Sequence, residues 1–263
     1  MLQTCNTQDY DAAKQILGSG MGGSNNAGTC IYPFPFACFN RFANRGLRRQ
    51  APFPAGKLNI GSLVIDVITN TKSELTTATA DQANLIDSVQ LCYYTPVVDD
   101  EMRNSELQKA YQIQSVDYKT RINYDVDASS KDIDISYLSG VIKAIMFDAR
   151  TSAQNSAKQY YKRNELKTCK IEIDGQEFHK IENSVEAKFE AFRDGVRQNA
   201  DGHNTKVSFS YNPASASSNG SLNTAPISKL VANVSAPSDN YVVDVLAVME
   251  ATYSIRAGRL IKE

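Results

Sequence analysis

Residues 206–258 constrain this chain more than any other stretch. Val207, Phe209 and Tyr211 alternate with Ser208 and Ser210, the period of a strand with one face on a core and the other on water. Asn212-Pro213 then turns the chain into a small polar loop, residues 214–223, and a short apolar run follows from Ile227 to Val234. A longer run opens at Tyr241, with Val243, Val245, Ala247 and Met249 on one face and Asp244 and Glu250 on the other. Gly258 closes the stretch, free to adopt positive φ. The order is strand, polar loop, strand, turn, long strand.

The same reading extends upstream. Leu58 to Thr69 alternates as a strand, with Leu63, Ile65 and Val67 on one face, and Ser88 to Thr95 as another, with Val89, Leu91 and Tyr93 inward and Pro96 as its stop. Asp99 to Tyr111 is expected as a short surface helix, because Asp99-Asp100-Glu101 suits a helix N-terminus. Tyr111 to Tyr124, Ile133 to Ile135 and the strongly apolar Val141 to Asp148 read as strands, with a turn at residues 127–130. Residues 150–163 read as a long loop anchored by Tyr160-Tyr161. Leu166 to Phe178 is a strand entering an Asp174-Gly175 turn, the strongest hairpin signal in the chain. A helix over about residues 184–198 follows, with Val185, Phe189, Phe192 and Val196 as its apolar stripe. Asn183 is its expected cap, and Glu186 stands at the third position of a box-like arrangement.

About eight to ten strands, one amphipathic helix and long polar loops predict an all-β fold, a jelly-roll sandwich or barrel of two antiparallel sheets and about eight strands. Val207, Phe209, Val243, Val245, Ile171 and Ile173 are expected in its core. Residues 1–30 read as a flexible arm, with a short helix at Asp9 to Leu17, and residues 31–56 as a connector rich in Pro, Phe and Arg. Residues 57–263 then form the jelly-roll domain.

Chemistry-bearing patterns are sparse. Gly18, Gly20 and Gly23 fit a dinucleotide fingerprint, but the flexible run Ser24 to Gly28 stands where the helix should be. No nucleophile elbow and no phosphate-binding lysine loop occurs. Asp132 and Asp134 share a face of a short strand and read as an exposed strand face. His179 and His203 are far apart, and no local His/Cys cluster supplies a zinc site. Cys5, Cys30, Cys38, Cys92 and Cys169 are odd in number without a Cys-x-x-Cys pair, and read as free thiols of a reducing compartment. Asn219-Gly-Ser and Asn233-Val-Ser are then silent as glycosylation acceptors. Arg41, Arg45, Arg48 and Arg49 face phosphate, solvent or a neighbouring subunit. The net charge of −1 gives no basis for nucleic-acid binding across the whole surface. No apolar run approaches the roughly 20 residues of a membrane span. The expectation is a non-enzyme with no catalytic residue, cofactor or metal.

The closing stretch resembles the end of the second barrel in the double jelly-roll major capsid proteins of large DNA viruses. Phe209, Tyr211 and Pro213 supply the aromatic strand and its turn, Ser218-Asn219-Gly220-Ser221-Leu222-Asn223 the loop, and Leu230, Tyr241, Ala247, Tyr253, Ile255, Arg256 and Gly258 the closing strands. Asn219 separates Ser218 from Gly220, one residue off the usual loop. Pro33-Phe34-Pro35-Phe36 and Asn44-Arg45-Gly46-Leu47 resemble the family's entry into that barrel, so the likeness spans residues 32–263.

The resemblance implies a major capsid protein whose homotrimers form pseudo-hexameric units of an icosahedral virion shell, synthesised in the host cytoplasm. Its partners would be itself, neighbouring capsomers, minor capsid proteins and an internal membrane, with no sequence-specific nucleic-acid binding. The family's first barrel does not fit within thirty residues. Three arrangements remain open: a fragment of a longer protein, a separate first-barrel polypeptide, or one barrel per subunit. Two rival readings use the same architecture. One is a lectin-like carbohydrate-binding module, with Tyr93-Tyr94 and Tyr160-Tyr161 as platforms; the other is a glycoside hydrolase.

Overall fold

Four antiparallel pairings define the architecture. In the computed structural model, which describes residues 55–58, 90, 99–108, 110–157, 164–183, 185–187, 189, 205–211, 213 and 219–263, β1 (Tyr111–Val126) pairs with β9 (Tyr241–Arg256). Next inward, β2 (Lys131–Asp134) pairs with β8 (Leu230–Ser235). Then β3 (Val141–Thr151) pairs with β6 (Thr205–Ser208), and β4 (Thr168–Ile173) with β5 (Gln176–Ile181). The short β7 (Leu222–Asn223) and β10 (Arg259–Lys262) add to the edges of β3 and β9. The eight main strands thus form one long hairpin, outermost pair to innermost. Successive pairs fall in alternate sheets, in the orders β1-β9-β3-β6 and β2-β8-β4-β5. That winding is a jelly roll, as the sequence predicts, and it closes within residues 111–256.

Local chemistry sets the turns. Asp174 and Gly175 have φ of 50° and 82°, the two positive values of a type I′ turn, whose twist matches the flanking strands. Ala257 and Gly258 repeat the pattern between β9 and β10, at 50° and 75°. The expected surface helix is present as α1 (Asp100–Gln108), with the Met102 N–H donating to Asp99 Oδ1 at 2.7 Å. Asn183 caps the later helix as expected, accepting at Oδ1 from the Val185 and Glu186 N–H groups at 3.0 Å each. Glu186 reaches back to the Glu182 N–H at 2.6 Å, one residue beyond the usual capping box.

The main core lies between the sheets. Ile145 and Phe147 of β3 and Val243, Val245, Ala247 and Met249 of β9 meet Ile133, Cys169, Ile171, Ala232 and Val234 of the other sheet, all buried. Val207 is buried with them, whereas Phe209 and Ile173 pack against this cluster from its margin.

Three expectations need correction. Tyr211 does not continue the strand inward; it is 87% exposed. β6 stops at Ser208 because its partner strand bulges between Ile142 and Ala144, where Lys143 O takes the Phe209 N–H, and β7 occupies the remaining edge of β3. Val185 and Phe189 do not cover the barrel; both are exposed, while Ala187 lies in the core. Two residues along a helix is about 200° around it, so the face carrying Ala187 is opposite the expected stripe. Arg150 does not open a loop. It is buried in β3, which runs on to Thr151, and Thr151 and Gln154 then form a capping box for α2 (Ser152–Ser156).

The expected arm, connector and strands at 58–69 and 88–95 lie almost wholly outside the described residues, as do Phe192, Val196 and Tyr160-Tyr161.

Candidate assembly surfaces

The carboxylates noted in the sequence belong to the framework. Asp132 and Asp134 are exposed on β2. Asp132 Oδ1 accepts from Asn233 Nδ2 at 2.6 Å, which occupies the amide of one of the two glycosylation-like sequences. Asp134 Oδ1 accepts from the Ser136 N–H at 2.9 Å; hydrogen bonds from the Ser136 side chain and then its backbone hold this carboxyl below its ordinary range. His179 is half-buried on β5 opposite Ile171, and its Nε2 has no hydrogen-bond partner. Among the described residues, no group of three His, Cys, Asp or Glu side chains is arranged to hold a metal ion. Gly18 to Gly23, the four arginines at 41–49, Tyr93-Tyr94, His203 and the cysteines other than Cys169 fall outside the described residues.

One cleft, of about 250 Å³, opens between residues 136–139 and 224–230. Its polar wall is internally wired: Gly140 N–H donates to Thr224 Oγ1 at 2.8 Å, and that hydroxyl lies 3.0 Å from Leu138 O and 2.9 Å from Gly140 O. Beside this end of the sandwich Arg121 stacks 4.6 Å from the centroid of the Tyr137 ring. Burial pushes the Tyr137 phenol up to about 12, with Tyr124 adding to the rise and Arg121 opposing it.

The surface features suited to protein contact are apolar. β5 and β6 are the last strands of their respective sheets, and Phe178 of β5 meets Phe209 just beyond β6 at 5.8 Å between centroids, tilted by 41°. This ring pair closes the sandwich on one side and leaves Phe178 55% exposed. Val185 and Phe189 add exposed apolar side chains after β5.

The outer face of the six-stranded sheet is different in kind. Arg150 spans Asp244 at 2.6 Å and Asp148 at 3.5 Å. Nearby, Val116, Ala144, Met146 and Val248 form a second buried apolar cluster.

No family model matches the sequence, and no curated protein does. The likeness to solved structures is one of fold. The chain is similar to the capsid of PBCV-1 at a TM-score of 0.49 and 14% identity, over 63% of this chain and 54% of that one. It is similar to the Faustovirus major capsid protein at 0.48 and 10%, over 59% and 36%. The major capsid protein P2 of bacteriophage PM2 matches at 0.37 and 13%, over 52% and 50%. This chain therefore spans about half, or less, of the matched chains' length.

Sequence reasoning missed the buried outer face. Its signal was present in Val141 to Asp148, which is apolar at nearly every position instead of alternating; strands buried on both faces read that way.

Proposed function

We propose that this protein builds a viral capsid shell and acts by assembly. The observation that carries the reading is that the stretch resembling the capsid family is also the stretch that closes the jelly roll. Leu230 lies on β8, and Tyr241, Ala247, Tyr253, Ile255 and Arg256 on β9, which pairs with both β1 and β3. β1 and β9 each run for 16 residues, roughly 50 Å of strand along the chain, with one register break in their pairing between Arg121 and Tyr124. Walls of that height suit upright barrels packed side by side, and Phe178, Val185 and Phe189 offer apolar area for such contacts.

On this reading the unit is a homotrimer with a pseudo-hexagonal outline, set among neighbouring capsomers and minor capsid proteins in an icosahedral virion shell. An internal membrane completes the proposed partners, and the role is structural, without catalysis. Closed symmetric contacts, each modest, supply the free energy of such a shell.

Electron microscopy and light scattering on the purified full chain test this. Trimers that condense into hexagonal sheets or closed shells are expected. A monodisperse monomer at micromolar concentration that captures one sugar class on a glycan array would replace the reading with a lectin-like one.

A further inference from the structure

Asn219 and Gly220 form the one Asn-Gly pair in the chain. Asparagine is chemically labile ahead of glycine. The next backbone nitrogen can close a five-membered ring on the side-chain amide, and glycine has no Cβ to obstruct it. A fold favours that closure when the nitrogen is free of hydrogen bonds, when water reaches it, and when the amide carbonyl is polarised. The loop before β7 meets all three conditions. The Gly220 N–H has no hydrogen-bond partner among the described residues. Across from it, the Phe209 and Tyr211 N–H groups are both engaged, by Lys143 O at 2.9 Å and Asn219 O at 3.2 Å. Gly220 is exposed and Asn219 half-buried. The Ser210 hydroxyl donates to Asn219 Oδ1, and Ser210 is itself buried, so the body of the sandwich holds the donor in place. Other described asparagines lack this setting. The Asn233 amide is tied to Asp132 and precedes a valine; Asn183 caps a helix and precedes a serine.

We propose that Asn219 is a modification site, where the folded protein converts its own asparagine to aspartate and isoaspartate with Ser210 as the positioned donor. Hydroxide takes the Gly220 N–H proton, and the nitrogen forms a bond to Asn219 Cγ. The Ser210 hydroxyl stabilises the charge that gathers on Oδ1 in that step. The bond from Cγ to Nδ2 then breaks, and ammonia leaves with a proton from water, which restores the hydroxide. The ring that remains is a succinimide, and one water opens it at either carbonyl. The sum is asparagine plus water giving aspartate or isoaspartate plus ammonia, with nothing oxidised or reduced. Isoaspartate carries the chain through the former side chain and so adds one methylene to the backbone ahead of Gly220. Gly220 has no slack to absorb it, since even a Cβ there would stand 2.7 Å from Phe209 O. The product therefore pushes the loop away from residues 209–211, beside the Phe178–Phe209 ring contact. The conversion runs one way and loosens this edge of the sandwich as the protein ages. This inference does not depend on the capsid reading.

Peptide mass spectrometry of the full chain tests it, after ageing in mildly alkaline buffer with and without guanidinium chloride. The folded chain should convert Asn219 at least as fast as the unfolded chain does, and faster than any other asparagine. Ser210 is nine residues away in sequence, so Ser210→Ala should leave the unfolded rate unchanged. In the folded chain the same variant should slow conversion about fivefold, the worth of one hydrogen bond. Should Ser210→Ala fail to fold, Ser210→Cys keeps the size with only a weak S–H donor and should slow it likewise. The isoaspartyl fraction, once separated, should exchange the Tyr211 amide hydrogen faster than the parent chain. A folded rate below the unfolded one, a folded rate that substitution of Ser210 leaves unchanged, or unaltered exchange at Tyr211 in the isoaspartyl fraction overturns the proposal.

Discussion

Arg150 on β3 and Asp244 on β9 meet at 2.6 Å on the outer face of the six-stranded sheet, with side-chain exposures of only 3% and 21%. The contact joins more than two strands. The other Asp244 oxygen accepts the N–H of Asn123 at 2.9 Å, where β1 breaks register between Arg121 and Tyr124 and Asn123 takes a φ of 65°. Asp148, 3.5 Å from the same guanidinium, completes the group. One cation thus fixes β1, β9 and β3 relative to one another.

Arg150→Ala should therefore cost about 2–4 kcal/mol, because it removes the guanidinium from between buried Asp148 and partly buried Asp244 and leaves like charges facing each other across β3 and β9. Arg150→Met together with Asp148→Leu and Asp244→Leu should cost much less, since the charges leave together. Urea unfolding of the full chain, compared at unchanged slope, measures both.

The β4–β5 turn offers a second comparison. Asp174 Oδ1 accepts from the Ser228 and Lys229 N–H groups at 3.0 and 2.7 Å, and the Asp174 N–H donates to Lys229 O at 2.9 Å. The turn is thereby fastened to the chain entering β8. A Cβ on Gly175 meets nothing within 4 Å, so Gly175→Ala carries only its backbone cost, about 1–2 kcal/mol for a left-handed conformation. Asp174→Ala removes two charge-assisted hydrogen bonds and is expected to cost more, about 2–4 kcal/mol. Thermal melts giving the reverse order would show the fastening to be weak.

Gly220 differs from Gly175 in having no room. Its φ is 110°, and a Cβ there would sit 2.7 Å from the Phe209 carbonyl oxygen. That oxygen is backbone and has no rotamer to adopt. Gly220→Ala should displace the loop from the Phe209–Tyr211 segment, breaking the Tyr211 N–H to Asn219 O bond of 3.2 Å and the Ser210–Asn219 side-chain pair. Faster hydrogen exchange at Tyr211, with little change at β8, is the expected signature.

The legible parts of this fold are those in which one face is wet. On β9, Asp244 and Glu250 mark the face opposite Val243 to Met249, and that alternation placed the inner core correctly. The same strand also buries Leu246 and Val248 among its outer residues, partly or fully, and a period-two reading has no symbol for a second buried face. The helix stripe failed for a related reason. Large side chains at 185 and 189 attract the eye, whereas burial selected the methyl of Ala187. The jelly-roll winding itself was reached through resemblance and strand count, because pairing of β1 with β9, some 130 residues apart on average, leaves no local trace.

Burial favours the neutral form of two acids, and the consequence is alkaline. The Cys169 thiol is pushed well above its ordinary range by burial alone, and the Tyr137 phenol to about 12. In the unfolded chain these groups ionise near about 8.5 and 10. The stability each contributes is present below those values and is lost as pH rises from them towards the folded pKa, so denaturant midpoints should fall above about pH 8.5 and again above about 10. The Tyr137 hydroxyl is buried without a hydrogen-bond partner. Tyr137→Phe should therefore be neutral or stabilising by up to about 1 kcal/mol at pH 7, keep the ring under Arg121, and remove the second fall.

The exposed apolar residues after β5 separate folding from assembly. Val185 is 71% exposed and Phe189 64%, while Ala187 between them anchors the same helix in the core. Side chains that exposed lend little to the stability of one subunit, and surface substitutions of this kind stay within about 0.5 kcal/mol. At a contact between subunits they would count for far more, since aromatic side chains carry much of the free energy of interfaces. Val185→Glu with Phe189→Glu is thus expected to leave the melting temperature of the isolated chain unchanged. The same pair should lower the yield of ordered assemblies, with free subunits accumulating in sedimentation profiles. Phe178→Ala makes a graded control, because its ring also supports Phe209 at 5.8 Å and should cost both stability and assembly. Undiminished assembly by the double glutamate variant would remove this helix from the proposed contacts and leave Phe178 and the loop ends as the surfaces to test.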